Sequence, residues 1–363
     1  MKNTIVLLGC LMVASLVRAS PLRVGVAGLT HSHVHWILGR PDRGDIQLVG
    51  IAEPNKALAE RFLNQHNLPM SLWFATLEEM ISATRPEAVM AFGSIYEHLA
   101  VVKACAPRGI HVMVEKPLAV SVDHAKQMQA LAKKHNIHLL TNYETTWYAT
   151  NHKAHELVDQ NKLGKLRKVV VHDGHEGPKE IKVDPEFLAW LTDPKQNGGG
   201  AVIDFGCYGA NLITWLANGQ LPVSVMALTQ QFKPDIYPKV DDEATILLEY
   251  PDMQGIIQAS WNWPFGRKDM EVYGATGYVV SDNRSNMRIR LKGEGEERLE
   301  TLSERQAPHD DPFALLAAVV QNKIVLPAYD LSSLENNMIV VEILEAAIES
   351  ARTGRKVILN QRK

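Results

Sequence analysis

The chain has 363 residues, 46% of them hydrophobic and 22% charged, enough for two domains with full cores. Its net charge is −3 and its basic residues gather in no stripe, which argues against a nucleic-acid surface; no apolar run is long enough to cross a bilayer. Three cysteines, Cys10, Cys105 and Cys207, are too few for a disulfide framework, so the core must carry the stability.

In chain order, Lys2 gives a short positive start and Thr4 to Val17 is almost wholly apolar. Val17-Arg18-Ala19 offers a cleavage site ahead of Ser20, so residues 1–19 read as a secretory signal peptide and the protein as exported, to the periplasm. Cleavage removes two of the 38 basic residues and none of the 41 acidic ones, which takes the net charge from −3 to −5. Residues 20–142 then alternate short apolar runs with helical patterns. The predicted strands are Leu22–Ala27, Gln47–Ala52, Ala88–Phe92, Ile110–Val114 and Ile137–Leu140. Thr76-Leu77-Glu78-Glu79 is a helix-capping box, and Ser121 caps the run to Lys134. This alternation predicts an α/β fold with a doubly wound parallel sheet.

Residues 143–363 read as a second, α+β domain. A helix near 151–161 leads to a strand at Leu166–Val171, and Gly198-Gly199-Gly200 to a helix over Ala201–Ala217. Six alternating strands between Val223 and Leu291, joined by short turns, predict a large, mainly antiparallel open sheet, and a capped helix over Leu334–Ala351 closes the chain. One face of that sheet would be left apolar, which predicts a homo-oligomer.

The end of the first strand carries the nucleotide signal. A G-x-G-x-x-G turn is expected there, but the sequence is Gly28-Leu29-Thr30-His31-Ser32-His33. Only the first glycine is kept. A helix N-terminus can still hold phosphate, with hydroxyls from Thr30 and Ser32 and a contact from His31 or His33. The second strand ends in Glu53, where an acid accepts the ribose hydroxyls; no arginine follows it at once, which favours NAD over NADP, although Arg61 lies within reach. His31, His33 and His35 recur every second residue. On a helix that spacing points them to different sides, so they form no common metal site.

Val114-Glu115-Lys116-Pro117 closes the fifth strand. It is joined by Ser94-Ile95-Tyr96-Glu97-His98 after the fourth, and by Gly198 to Asp204 with Tyr208 in the second half. Together these resemble the Gfo/Idh/MocA oxidoreductase family, over the chain from Leu22 to the last helix. The resemblance implies a Rossmann domain followed by a β-sheet domain, with the active site between them. It implies Lys116 beside the nicotinamide and the reacting carbinol, Asp204 and Tyr208 facing the same substrate, and Ser94, His98 and Glu115 on the cofactor side. Most members have histidine where this chain has Tyr208, as the glucose–fructose oxidoreductase branch also does. The broken glycine fingerprint is a departure.

Asp204, Tyr208 and Asn211, spaced i, i+4 and i+7, would share one face of a single helix, as a substrate site or as bonds to the Gly198–Gly200 loop. A free tyrosine titrates near pH 10, about three units too high for a good base, and a lysine beside it would lower that value. Lys116 and Tyr208 therefore read as an acid–base pair oriented by Asp204. His175, past the Leu166 strand, reads as a sugar ligand; His172 or His175 with an acid could hold a divalent metal. Trp147, Tyr148, Trp261 and Trp263 could stack on a sugar ring. Three functions fit: a sugar or glycoside dehydrogenase with tightly held NAD, an NAD-dependent glycosidase that oxidises the ring transiently, or a non-catalytic sugar- or nucleotide-binding protein. The intact Lys116, Asp204 and Tyr208 speak against the last.

Overall fold

A computed structural model describes residues 20–359; the expected signal peptide lies outside them. The strands are β1 (Leu22–Ala27), β2 (Ile46–Ala52), β3 (Trp73–Phe74), β4 (Ala88–Ala91), β5 (His111–Glu115), β6 (Leu139–Asn142), β7 (Leu166–Gly174), β8 (Ser224–Gln230), β9 (Glu243–Glu249), β10 (Gln254–Ser260), β11 (Arg267–Gly274), β12 (Gly277–Ser281), β13 (Asn286–Leu291), β14 (Arg298–Thr301) and β15 (Val357–Ile358). The α-helices are α1 (Val34–Leu38), α2 (Lys56–Gln65), α3 (Leu77–Thr84), α4 (His98–Cys105), α5 (Val122–His135), α6 (Ala149–Asp159), α7 (Pro185–Leu191), α8 (Ala201–Asp204), α9 (Gly206–Leu216), α10 (Pro312–Val320) and α11 (Leu334–Thr353).

The first six strands form a parallel sheet in the order β3-β2-β1-β4-β5-β6. The order reverses between β1 and β4, and a ligand crevice opens at such a switch point, outside the carboxyl ends of the strands. Helices cover both faces, so the strands are apolar throughout, as β4 with four buried residues shows. The other nine strands form the second sheet, β14-β13-β12-β11-β7-β10-β9-β8-β15. It is antiparallel except where β7 inserts between β11 and β10 and runs parallel to β10. The α9 helix lies on it closely: a Cβ at Gly209 would stand 2.5 Å from Ile257.

Two features depart from the expected elements. The helix predicted over Ala201–Ala217 is broken at Phe205 into α8 and α9. And α10, absent from the prediction, packs Phe313, Leu316 and Val319 into the core of the first sheet beside Val24, Val26 and Ile51. Chain from beyond the second sheet thus completes the first core.

Candidate active site

The β1 turn is built around Gly28, at φ +80°, where a Cβ would meet the Gly93 amide nitrogen at 2.8 Å. Only glycine fits both constraints. The turn is fastened to β2 by Glu53, whose carboxylate accepts hydrogen bonds from the amides of Leu29 (2.9 Å) and Asn55 (2.8 Å). Next to it lies a cleft of about 330 Å³ lined by Gly28, Pro54, Thr76, Gly93, Glu97 and His98 among others. His98 donates from Nδ1 to the Leu118 carbonyl (3.1 Å), which leaves Nε2 a buried acceptor with no partner. An orphaned acceptor on a crevice at the switch point suits a nucleotide hydroxyl. Thr30 is half-buried in the same turn. Ser94, expected on the cofactor side, is tied up elsewhere: its Oγ lies 2.9 Å from Glu97 Oε2 and 2.7 Å from Gln196 Oε1.

His31 and His33 precede α1 instead of lying on it, and their rings stand 4.5 Å apart. The helical argument that kept them apart therefore fails; both converge on Glu115, and only His35 turns away, toward His66. Burial pushes the Glu115 carboxyl up, but His33 and His31 outweigh it and, with bonds from His33 and Asn142, hold it at about 2. As an anion Glu115 only accepts. His33 must therefore donate from Nδ1 (2.9 Å). His31 accepts the His33 amide at Nδ1 (3.1 Å), and burial keeps its ring neutral, so its proton is on Nε2. His31 is therefore the reverse of a metal-binding histidine, which keeps a lone pair for the ion and donates from its second nitrogen. In the other converging group, His172, Asp269 and Glu271, Arg267 already clamps Asp269 at 2.7 and 2.9 Å. We assign a metal to neither.

The polar centre lies where β5 ends against α8. Lys116 donates from Nζ to the Asp204 carboxylate and, at 2.9 Å, to the Asp204 carbonyl. This explains the helix break. In a continuous helix that carbonyl would take the Tyr208 amide; instead it takes the ammonium, and the Tyr208 amide bonds to Phe205 (3.2 Å). Trp261 donates to the other Asp204 oxygen at 2.9 Å. Both ions are buried, and burial opposes the charge on each. Burial is the largest single effect, but the attraction and hydrogen bond within the pair, with help from Glu115 on Lys116 and from His175 and Trp261 on Asp204, together outweigh it, raising Lys116 and lowering Asp204. The three glycines dock this element. A Cβ at Gly200 would stand 1.8 Å from the Asp241 carbonyl, and the Asp241 carboxylate accepts from the amides of Gly200 (2.9 Å) and Val202 (2.7 Å). Burial lifts that carboxyl to about 6.

Tyr208 joins the group, but not as expected. Lys116 and Lys268 lie 5.1 and 4.7 Å from the centre of its ring. Burial, aided by Glu144 and Asp173, pushes its phenol well above the ordinary value. The expected phenolate base is thus corrected: in this arrangement Tyr208 is a hydrogen-bond donor. His175 accepts the Gly177 amide at Nδ1 (2.9 Å), and burial lowers its pKa, so it too donates from Nε2. Asn211 does not join. It faces α11, donating to Leu331 (2.8 Å) and Asn337 (3.4 Å), which makes it a packing residue. Trp261 is fully buried on Asp204, so it offers no face to a sugar.

Sequence reasoning missed Lys268, Glu144 and Asp173. Lys268 pairs with Glu144, which also accepts from Tyr148 (2.7 Å). Asp173, opposite Lys268 in register, is buried with both oxygens unpartnered, and burial raises its pKa well above the ordinary carboxyl value. The signal was there: Lys268 alternates with buried Met270 and Val272, and Asp173 with buried Val169 and Val171, which places both inward.

A nucleotide crevice at the switch point, with a buried lysine–carboxylate pair at the end of β5, defines an oxidoreductase of the dinucleotide-binding class. The comparisons identify which one: residues 22–143 match the model described as the oxidoreductase family with an NAD-binding Rossmann fold, and residues 151–280 match the GFO/IDH/MocA C-terminal domain. The chain belongs to the Gfo/Idh/MocA oxidoreductase family. It is similar to trans-1,2-dihydrobenzene-1,2-diol dehydrogenase of Sus scrofa, 27% identical over 66% of this chain and 67% of that one, and of Xenopus laevis, 28% identical over 60% and 61%. The chain thus matches about two thirds of the length of these relatives, or less. Among solved structures it is similar in fold to an aldose–aldose oxidoreductase of Caulobacter crescentus complexed with glycerol (TM-score 0.79, 21% identity, 93% and 100% of the two chains). A second is an inositol dehydrogenase homolog of Azotobacter vinelandii complexed with NAD+ (TM-score 0.78, 18% identity, 94% and 98%).

Tyr208→Phe should lower turnover about 10- to 100-fold, the size of one lost hydrogen bond to a charged group, about 1.5–3 kcal/mol. Steady-state rates would check it; an unchanged rate would remove the phenol from the reaction.

Proposed function

We propose that the protein oxidises a secondary alcohol of a sugar or glycoside with NAD. The observation that carries this is the Lys116–Asp204 ion pair, ringed by the donors Tyr208 and His175. NAD supplies a hydride acceptor when bound. Lys116 holds the alcohol oxygen; as the hydride is lost from carbon, the hydroxyl proton passes to Lys116 while the ammonium gives one of its own to the Asp204 carboxylate, and Tyr208 and His175 donate to the same oxygen or a neighbouring one while burial excludes water. The sugar- and polyol-related names among the neighbours support the substrate class. The decisive experiment is a panel of sugars and glycosides, assayed for NADH and ketone product. Free aglycone without net NADH would favour transient oxidation and hydrolysis instead; no reaction with any carbohydrate would sink the reading.

NAD is proposed over NADP. Glu78 and Glu97 line the 330 Å³ cleft with no cation among its lining residues, and Arg61 is paired with Glu186 at 2.8 Å. NADP should bind at least about tenfold more weakly by calorimetry, since like charges brought together cost binding energy. Glu53→Ser should narrow the ratio and weaken NAD. Equal affinities for wild type would refute the preference.

We also propose a homo-oligomer. Met226, Leu228 and Leu247 are 46, 63 and 45% exposed on the outer face of β8 and β9, and Met226 sits opposite Leu247. Such a patch suits an interface. Sedimentation at micromolar concentration should show an assembly that Leu228→Glu weakens; a wild-type monomer would end the proposal.

A further inference from the structure

The largest cleft described is not the nucleotide crevice. It measures about 610 Å³ and lies between the C-terminal end of α1, the start of α10 and the segment after β6. Such a volume falls within the roughly 300–1,000 Å³ of sites that enclose ligands larger than a single small ring.

Two of its walls are shared with the polar centre. Glu144 lines it and is the ion-pair partner of Lys268, which lies against Tyr208. Trp36 lines it too, stacked at 3.8 Å on His33, which is bonded to Glu115 beside Lys116. These contacts place the cleft beside the polar centre.

The lining says what kind of molecule. Its charged residues are three cations, Arg40, Arg43 and Arg284, and three anions, Glu144, Asp310 and Asp311. Arg43 is bound to Asp310 (2.7 Å), and Arg40 to Asp311 (2.9 Å). The balance is neutral, which disfavours a phosphorylated or acidic ligand. One oxygen of Asp310 is buried without a partner, and Arg284 lies 6.0 Å from the centre of the Tyr148 ring. Indole surface with a free acceptor and a guanidinium donor matches a neutral ring that has C–H faces and a rim of hydroxyls.

We propose that this cleft is a second-ring subsite, resting on the sugar-oxidation reading above. The reacting ring lies at Lys116, the next sugar ring or aryl group lies against Trp36 and Arg284, and the substrate is a neutral glycoside of at least two rings. The nucleotide crevice, at about 330 Å³, is little more than half this size.

The test measures kcat/KM for NADH formation by the holoenzyme on matched probes: glucose against cellobiose, maltose and an aryl glucoside, and galactose against lactose. For any pair turned over, the two-ring compound should be favoured about tenfold or more, the range one pocket contact can supply. Arg284→Ala, at an exposed position, should shrink that preference through the KM of the glycoside. It should leave the monosaccharide within about threefold of wild type, since uniform binding contacts change KM and not the chemical step. Trp36→Ala should do the same, with the melting temperature as a check on its folding. Equal use of one- and two-ring compounds, or a preference untouched by Arg284→Ala, would overturn the subsite while leaving the oxidation intact. No reaction with any carbohydrate, read as NADH, ketone or free aglycone, would sink the oxidation reading, and this one with it.

Discussion

Lys116→Met should abolish turnover by about two to four powers of ten, the cost of one positioned group acting on the transferred proton and its charge. It should also destabilise the fold. Removing the ammonium leaves Asp204 buried with Trp261 as its remaining side-chain partner, and an uncompensated buried charge costs about 3–5 kcal/mol. The two losses can be separated. Adding Asp204→Asn removes the stranded charge, so the double variant should recover most of the lost melting temperature and none of the lost rate. A single variant within tenfold of wild type would rule out the role of Lys116. A double variant as unstable as the single would show that the pair matters less to the fold than its burial indicates.

Protein purified without added nucleotide should contain near-stoichiometric NAD(H). The argument joins the proposed chemistry to the proposed export of the chain. Outside the compartment that holds free NAD, an enzyme that released its cofactor each turnover would stall. The cofactor must be held and recharged by a second substrate, or regenerated within one cycle. Survival through purification needs a dissociation constant of about 10 nM or tighter, near −11 kcal/mol. Denaturing the protein and assaying the supernatant for nicotinamide would show it. Empty protein with weak NAD binding would overturn either the export or the catalytic cycle; the activity panel separates those two failures.

Much of the site was legible because it rests on local constraints. Gly28 reads as the turn glycine from its place after an apolar strand, and Lys116 reads as functional from Glu115-Lys116-Pro117 at a strand end. The inward lysine of β11 and the inward aspartate of β7 were legible too, had the period of two been followed to polar residues. The start of α10 was marked by Asp311, whose side chain accepts the Ala314 amide at 2.7 Å, with Pro312 at the first helical position. The nine residues that follow are apolar on every side, so no amphipathic stripe marked them as a helix.

By itself, the sequence determined the doubly wound parallel sheet and the order of most strands and helices, and it singled out some of the candidate polar residues, Lys116 and Asp204 among them. These follow from hydrophobic period and turn chemistry, which act over a few residues. The tertiary structure alone decided how those residues are used. Lys116 reaches across 88 positions to take the Asp204 carbonyl. That bond accompanies the break between α8 and α9, and Asn211 bonds to Leu331 and Asn337. His31 and His33 meet on Glu115 because their turn is not a helix, and α10 returns to fill the first core. Each outcome was set by buried polar groups and apolar surfaces that had to find partners, and those partners lay far away in the chain.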